Sequence, residues 1–170
     1  MFVAIWLTLG VCLIASYFDV RARRIPNWLT GSLTIAAVAL HSFSGLRAAV
    51  ISIGVMLVLT LLGTLVYSRG GIGGGDVKLA IAVSGMLSYP LCVPFLLYTM
   101  LGGGLLSIAF VLVRGSFRES FSRAVAMTAS GPQAVTSDKS QSLPYAVAFA
   151  FGAVLIALSQ SLAPFLRILT

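Results

Sequence analysis

Long apolar stretches alternate with short polar connections along the chain, a pattern that predicts several membrane-spanning helices. A helix that crosses a bilayer core of about 30 Å needs roughly 17–25 mostly apolar residues. Residues 2–18, 48–67 and 143–165 fit this requirement. Residues 28–44 are a weaker candidate, because threonine, serine and histidine interrupt the apolar run. The pattern therefore predicts these four spans before the middle of the chain is considered.

The middle of the chain, residues 79–113, contains no charged residue over 35 positions. This is too long for one ordinary span and barely enough for two. The Ser-Tyr-Pro sequence at 88–90 is the natural break, and it predicts a short helix at 77–89 and a longer one at 91–113. The short helix would measure about 20 Å at 1.5 Å per residue. Either the bilayer is thinned there or water reaches into the membrane beside this helix.

The distribution of basic residues favours six spans over five. With the break and an outside N-terminus, nine of the eleven basic residues fall on the cytoplasmic side, as the positive-inside rule requires. Those nine are Arg21, Arg23, Arg24, Arg69, Lys78, Arg114, Arg118, Arg123 and Lys139. The first span is expected to be retained rather than cleaved, because its basic cluster follows the apolar run. We therefore predict one all-α domain over residues 1–170, with six transmembrane helices in the plasma (inner) membrane and both termini outside.

Composition excludes the soluble and the disordered classes of protein. Apolar residues make up 59% of the 170 positions and charged residues only 9%, whereas a soluble domain is about a quarter charged. Disorder requires the opposite balance of low hydrophobicity and high net charge. Only four carboxylates are present, and any that lies at the membrane needs a reason to be there.

Residues 114–142 form the only sizeable polar segment, which the predicted topology places in the cytoplasm. Phe117, Phe121 and Val125 are spaced four apart among arginines, which predicts a short amphipathic helix on the membrane lipids. Two of the four carboxylates, Glu119 and Asp138, lie in this segment among polar and basic neighbours. They are expected to be solvated surface charges.

The other two carboxylates, Asp19 and Asp76, are placed by the topology at the same cytoplasmic edge. Asp19 follows the first span and Asp76 opens the fourth, and two intervening helices return the chain to the same side. Asp76 has a structural alternative as a helix cap or a partner of the helix dipole. Asp19 has one as a salt-bridge partner of Arg21, Arg23 or Arg24. The matched depth of the pair favours a shared catalytic or ion-binding role.

Two aspartates that share a site can hydrolyse an amide. Because like charges a few ångströms apart cannot both ionise comfortably, one proton is shared: one member takes a proton from water while the other polarises the carbonyl. No serine triad or zinc site is expected, since the only histidine, His41, lies toward the outer face and Cys12 and Cys92 lack metal-type spacing. We expect no metal and no cofactor.

Two segments resemble the aspartate motifs of type IV prepilin peptidases, which belong to the GxGD membrane aspartic proteases. They are FDVRARRIPN at 18–27 and GGGDVKLA at 73–80, and LPYAVAFAFGA at 143–153 resembles the final helix of the family less specifically. The resemblance implies that Asp19 and Asp76 are the catalytic pair. It further implies a role in type IV pilus assembly or protein secretion, with cleavage of a prepilin or pseudopilin leader at the cytoplasmic membrane edge.

The glycines beside Asp76 are expected to serve the substrate. Gly73, Gly74 and Gly75 would let another backbone approach the carboxylate, and Lys78 is a candidate contact for Asp76 or for an acidic residue of the substrate. Three further polar residues of the matched segments, Arg24, Asn27 and Tyr145, are expected to be mainly structural.

The chain is similar to the small, tight-adherence (Flp-type) form of the family. Only about nine residues connect the first two helices, without the cysteine-rich domain of the bifunctional members, so methylation of the new terminus is not expected. The expected partners are the prepilin and membrane lipids, with no nucleic acid, and a homo-oligomer stays open. The alternatives are an ion- or proton-coupled transporter that uses the two aspartates, an intramembrane protease with other substrates, and a non-catalytic scaffold.

Overall fold

The computed structural model describes residues 2–69, 72–114 and 145–169, and every regular element in these ranges is a helix. The all-α prediction is confirmed for this part of the chain. Six helices are present there: α1 Phe2–Ala22, α2 Asn27–Phe43, α3 Leu46–Ser68, α4 Gly74–Leu87, α5 Cys92–Arg114 and α6 Ala146–Leu169. The predicted surface helix with Phe117, Phe121 and Val125 lies outside the described residues, as do Glu119 and Asp138.

Three of these helices are long and apolar enough to cross a membrane. The qualifying segments are Val3–Ala22, Leu46–Ser68 and Cys92–Ala109, and Ala146–Ser161 forms a shorter apolar helix. Their outward faces carry large apolar side chains such as Leu61 and Leu112, which are more than 70% exposed within the protein. Apolar surface of this extent is typical of a protein whose solvent is lipid.

The end of α1 differs from the prediction, because the helix continues for four residues beyond the apolar run, to Ala22. Arg23 then adopts a left-handed conformation with φ of 50°, and its amide donates to the Asp19 carbonyl at 2.9 Å. This arrangement satisfies one of the free carbonyls at the helix end. Asp19 therefore lies inside the last turn of α1. Pro26, in extended backbone, is the N-cap residue that directly precedes α2.

α4 begins three residues earlier than predicted, at Gly74, so that Asp76 lies in its first turn. Its other end is Leu87, and residues 88–91 form the predicted break before α5. All six residues from Ala82 to Leu87 are buried. Only a helix that neighbours surround on every side has no exposed face, which makes α4 the centre of the bundle.

The helices around α4 form two groups. α4 packs against α2 and α3 on one side and against α1 and α5 on the other, while α6 packs against α1 and α5. α3 and α4 run antiparallel, with close approaches at Gly63, where an added Cβ would lie 2.5 Å from Val77, and at Gly85, where the Ser52 hydroxyl donates to the carbonyl at 2.8 Å. α4 belongs to the group that contains α2 and α3, and α1 and α6 belong to the group that contains α5. A site between the ends of α1, α4 and α6 is therefore built by helices of both groups.

Candidate active site

Asp19 and Asp76 meet at one end of the bundle. Asp19 lies in the last turn of α1 and Asp76 in the first turn of α4, which packs against α1. The α1–α2 connection links the two helix ends, because Ile25 lies 3.4 Å from the position of a Cβ on Gly75. The two carboxyl groups are close enough that the charge of Asp19 raises the pKa of Asp76.

The pKa of Asp76 is raised to about 6, from an ordinary value of 3.8. Burial is the larger cause and the negative charge of Asp19 the smaller one. Asp76 precedes the segment 77–89 that is predicted to enter the membrane. A carboxylate in the first turn of a helix is also stabilised by the helix dipole, which lowers a pKa. Burial and the Asp19 charge both act in the opposite direction, and they favour the protonated form of Asp76.

Asp19 is held from the opposite side, by the beginning of α6. Its Oδ2 accepts a hydrogen bond from the Ala146 amide at 3.0 Å. The Ala146 carbonyl in turn accepts one from the Ser16 hydroxyl at 2.8 Å. Arg21, an expected salt-bridge partner of Asp19, instead donates to the Tyr17 hydroxyl at 3.2 Å. The first residue of α6 is thereby fixed to the same face of α1 that carries Asp19.

Ser16 and Ala146 are functional candidates that the sequence did not single out. A backbone amide has no residue-type signal, and 127 positions separate it from Asp19. Ser16 also donates to the Cys12 carbonyl four residues earlier, the ordinary bond of a serine inside a helix. The resemblance of LPYAVAFAFGA to a family pattern was the one signal available at the α6 end.

The three glycines before Asp76 each face a different neighbour. A Cβ on Gly73 would lie 2.9 Å from Asp76 Oδ2, and one on Gly74 would lie 3.3 Å from the Tyr67 ring. Gly73 has φ of −68° and ψ of 142°, a conformation that any residue adopts, so its requirement is space rather than backbone freedom. Gly73 therefore makes room for the Asp76 carboxyl, whereas Gly74 lies beside Tyr67 and Gly75 beside Ile25.

The hydrogen-bond partner of Lys78 is Asn27 rather than either aspartate. Its ammonium group donates to Asn27 Oδ1 at 3.0 Å, at the first residue of α2. Asp76 and Lys78 are two positions apart on α4, a spacing that puts side chains on different faces of a helix. Asn27 thus acquires a defined partner, and Lys78 remains exposed near the site.

Within residues 2–69, 72–114 and 145–169, no three His, Cys, Asp or Glu side chains group together in a way that could hold a metal ion. Cys12 and Cys92 are buried free thiols. The polar groups described at this end include the two carboxyls, the α6 amide and the Lys78 ammonium.

The chain matches the model of the type IV leader peptidase family over residues 6–108. The matched region is more than half of the chain and contains both Asp19 and Asp76. No curated protein and no solved structure matches the chain. The match agrees with the motifs FDVRARRIPN and GGGDVKLA, each of which contributes one aspartate to the site. On this evidence the protein belongs to the type IV leader peptidase family.

Proposed function

We propose that this protein is a membrane aspartic endopeptidase that removes the leader of prepilin-like proteins, with Asp19 and Asp76 as the catalytic pair. The observation that carries the proposal is that these two carboxyl groups, 57 positions apart in sequence, lie close enough at one end of the bundle for the charge of Asp19 to raise the pKa of Asp76. Mutual electrostatic influence between two buried or half-buried acids is the condition under which they share one proton.

The chemistry requires only the two carboxyls and water. The ionised carboxyl takes a proton from a water molecule, whose oxygen attacks the scissile carbonyl carbon, while the protonated carboxyl stabilises the developing charge on the carbonyl oxygen. When the tetrahedral intermediate collapses, the C–N bond breaks and the amine leaves with a proton. Because the pKa of Asp76 is about 6, about half of the Asp76 carboxyls are protonated at pH 6. This pKa is close to the pH at which enzymes work, as general acid catalysis requires.

The proposed substrate is a prepilin or pseudopilin whose leader lies in the cytoplasm and whose following apolar helix stays in the membrane. We propose the six-span arrangement in the inner membrane, with the aspartate end facing the cytoplasm. Its support is the concentration of basic residues around this end of the described helices, at Arg21, Arg23, Arg24, Arg69 and Lys78. The exposed Lys78 ammonium would receive an acidic residue of the substrate, and Gly73, Gly74 and Gly75 would admit its backbone.

The decisive experiment is co-expression with a candidate prepilin, followed by N-terminal sequencing of the product. Wild-type protein is expected to release the leader at one site, and Asp19→Asn and Asp76→Asn are each expected to abolish release at normal protein levels. The matched control is Asp138→Asn, the same substitution at the remaining aspartate, which should cleave like wild type. Full cleavage by either site variant would refute the catalytic pair.

A further inference from the structure

Ala146, the first residue of α6, is tied to α1 at two points. Its amide donates to Asp19 Oδ2 and its carbonyl accepts from Ser16, at 3.0 and 2.8 Å. Ser16 and Asp19 are three positions apart and therefore lie on the same face of α1. Ala146 has 0% of its surface exposed, while Ser16 and Asp19 are half-buried, so the junction is partly shielded from water. A hydrogen bond to a charged oxygen is stronger in such surroundings than in water.

The two carboxyls of the pair consequently meet different environments. The first amides of a helix have no partner inside the helix and carry the positive end of its dipole. The start of α6 therefore stabilises a negative charge on Asp19, and the hydrogen bond fixes the direction of its carboxylate. Asp76, on the buried central helix, is instead shifted toward its neutral form. The fold thus gives Asp19 a hydrogen-bond donor that fixes its direction, whereas burial and the charge of Asp19 favour the neutral form of Asp76.

Resting on the peptidase function proposed above, we infer that Ser16 and the Ala146 amide are positioning elements that aim the Asp19 carboxyl at the attacking water. Asp19 is then the general base and Asp76 the proton donor. Asp19 takes the proton of the water that forms the new C–O bond, and Asp76 gives its proton to the carbonyl oxygen. On collapse, the departing amine takes the proton from Asp19 as the C–N bond breaks, and Asp76 recovers its proton from the former carbonyl oxygen.

Several charged and titratable side chains share this end of the bundle with Asp19. They are Arg21, Arg23 and Arg24 after or within the end of α1, Asp76 and Lys78 on α4, and Tyr145 before α6. Arg21 and Lys78 donate to Tyr17 and Asn27. The α6 amide is distinct from all of these groups because no change of pH removes its hydrogen.

The amide can be removed selectively because Ala146 occupies the first helical position, where proline is well tolerated. Ala146→Pro removes the amide hydrogen that bonds Asp19. Ala146→Val adds a side chain of about the size of proline but keeps the amide hydrogen. Losing one hydrogen bond to a charged group lowers kcat by about 10- to 100-fold. We expect this decrease in kcat for the proline variant only, and a KM close to that of the wild type. Equal kcat values for the proline and valine variants would overturn the inference.

Ser16 offers a second test that does not depend on tolerance of proline. Ser16→Ala is expected to lower kcat about tenfold with little change in KM, and Ser16→Thr to restore it, because threonine keeps the hydroxyl. The control is Ser107→Ala, because among the described residues the Ser107 hydroxyl makes one within-helix bond, to the Gly103 carbonyl at 2.8 Å. If Ser16→Ala cleaves as fast as Ser107→Ala, Ser16 does not position Asp19.

The location of the proton can be measured without any substrate. The chain has three aspartates, so labelling with [13Cγ]aspartate gives three carbon resonances, each assigned by its Asp→Asn variant. We expect the resonance of Asp76 to report a mainly protonated carboxyl near pH 5.5. A resonance of Asp76 that reports the ionised form at that pH would remove the proton donor and overturn the inference.

The outcomes separate this inference from the proposed function. If wild-type protein cleaves no prepilin-like substrate, the peptidase proposal fails, and the carbon resonances still decide which carboxyl holds the proton. If wild type cleaves and both aspartate variants are inactive, but the Ala146 and Ser16 variants match their controls, the peptidase function stands and the positioning role is wrong.

Discussion

Gly73→Ala tests whether the glycine run exists to accommodate the Asp76 carboxyl. A methyl group on Gly73 would lie 2.9 Å from Asp76 Oδ2, whereas ordinary contact begins at 3.4 Å. The carboxyl must therefore move by about 0.5 Å, which is the tolerance within which catalytic groups have to be held. Since a misplacement of about 1 Å can cost a hundredfold in rate, we expect kcat to fall on the order of tenfold.

The substitution should leave the fold intact. The backbone of Gly73 is in extended conformation, so alanine fits without strain and gains about 0.4–1 kcal/mol from the lower entropy of the unfolded chain. Alanine is a poorer N-cap than glycine by a similar amount, so the two effects nearly cancel. The assay is single-turnover leader cleavage at saturating substrate, with thermal unfolding in detergent as the check on stability.

Two companion variants sharpen this result. Gly54→Ala adds a methyl group that meets no described atom within 4 Å, so it should leave kcat near wild type without lowering stability. Gly75→Ala fits beside Ile25 in the free protein, so a higher KM with little change in kcat would show that this glycine admits substrate. Unchanged kcat in a folded Gly73→Ala protein would refute the idea that the Gly73–Asp76 contact controls the carboxyl position.

Three further predictions concern pH, helix packing and substrate charge. The pKa of Asp76 is raised to about 6, so its proton is lost as the pH rises through 6. Above pH 6, kcat/KM should therefore fall, with a slope that approaches tenfold per pH unit. A flat profile from pH 6 to 8 would contradict this. Gly152→Ala should destabilise the α5–α6 contact by about 1–3 kcal/mol, because a Cβ there meets Thr99 Oγ1 and lies 3.2 Å from the α5 backbone. Gly104→Ala, whose Cβ meets no described atom within 4 Å, should not lower the melting temperature, because alanine is the better helix former. Lys78→Ala should raise KM several-fold for substrates with an acidic residue near the cleavage site, and equal KM values would exclude Lys78 from substrate binding.

Hydrophobic patterning predicts the helices of this chain well but predicts where they end less well. Charged residues end an apolar run, and for this reason the first helix was expected to stop at residue 18. Arginine and alanine are good helix formers in water, however, so α1 continues to Ala22 and brings Asp19 into a helical turn. The sequence predicts that Asp19 and Asp76 lie at the same end because two helices separate them, and the structure has two helices, α2 and α3, between α1 and α4.

The hydrogen bonds that hold Asp19 could not be predicted in the same way. They depend on how α6 packs against α1, which is a tertiary contact, and on a backbone group that every residue except proline carries. The same limit applies to Lys78, whose bond to Asn27 depends on the close approach of α2 and α4. Sequence motifs marked the residues of the site, and packing determined their partners.

The depth of the two aspartates also favours a protease over a transporter. In the antiparallel pair of α3 and α4, Gly85 lies beside Met56, and Gly74 lies beside Tyr67, close to the end of α3 at Ser68. This register places Asp76 about one turn inside the end of α3, as Asp19 is one turn inside the end of α1. Compared with α3, α4 is therefore short at its other end, where it stops at Leu87. The short length of α4 thus gives no reason for water to enter the membrane at the Asp76 end. A transport site is expected near the middle of the membrane, whereas a junction between a polar leader and an apolar helix lies at its edge.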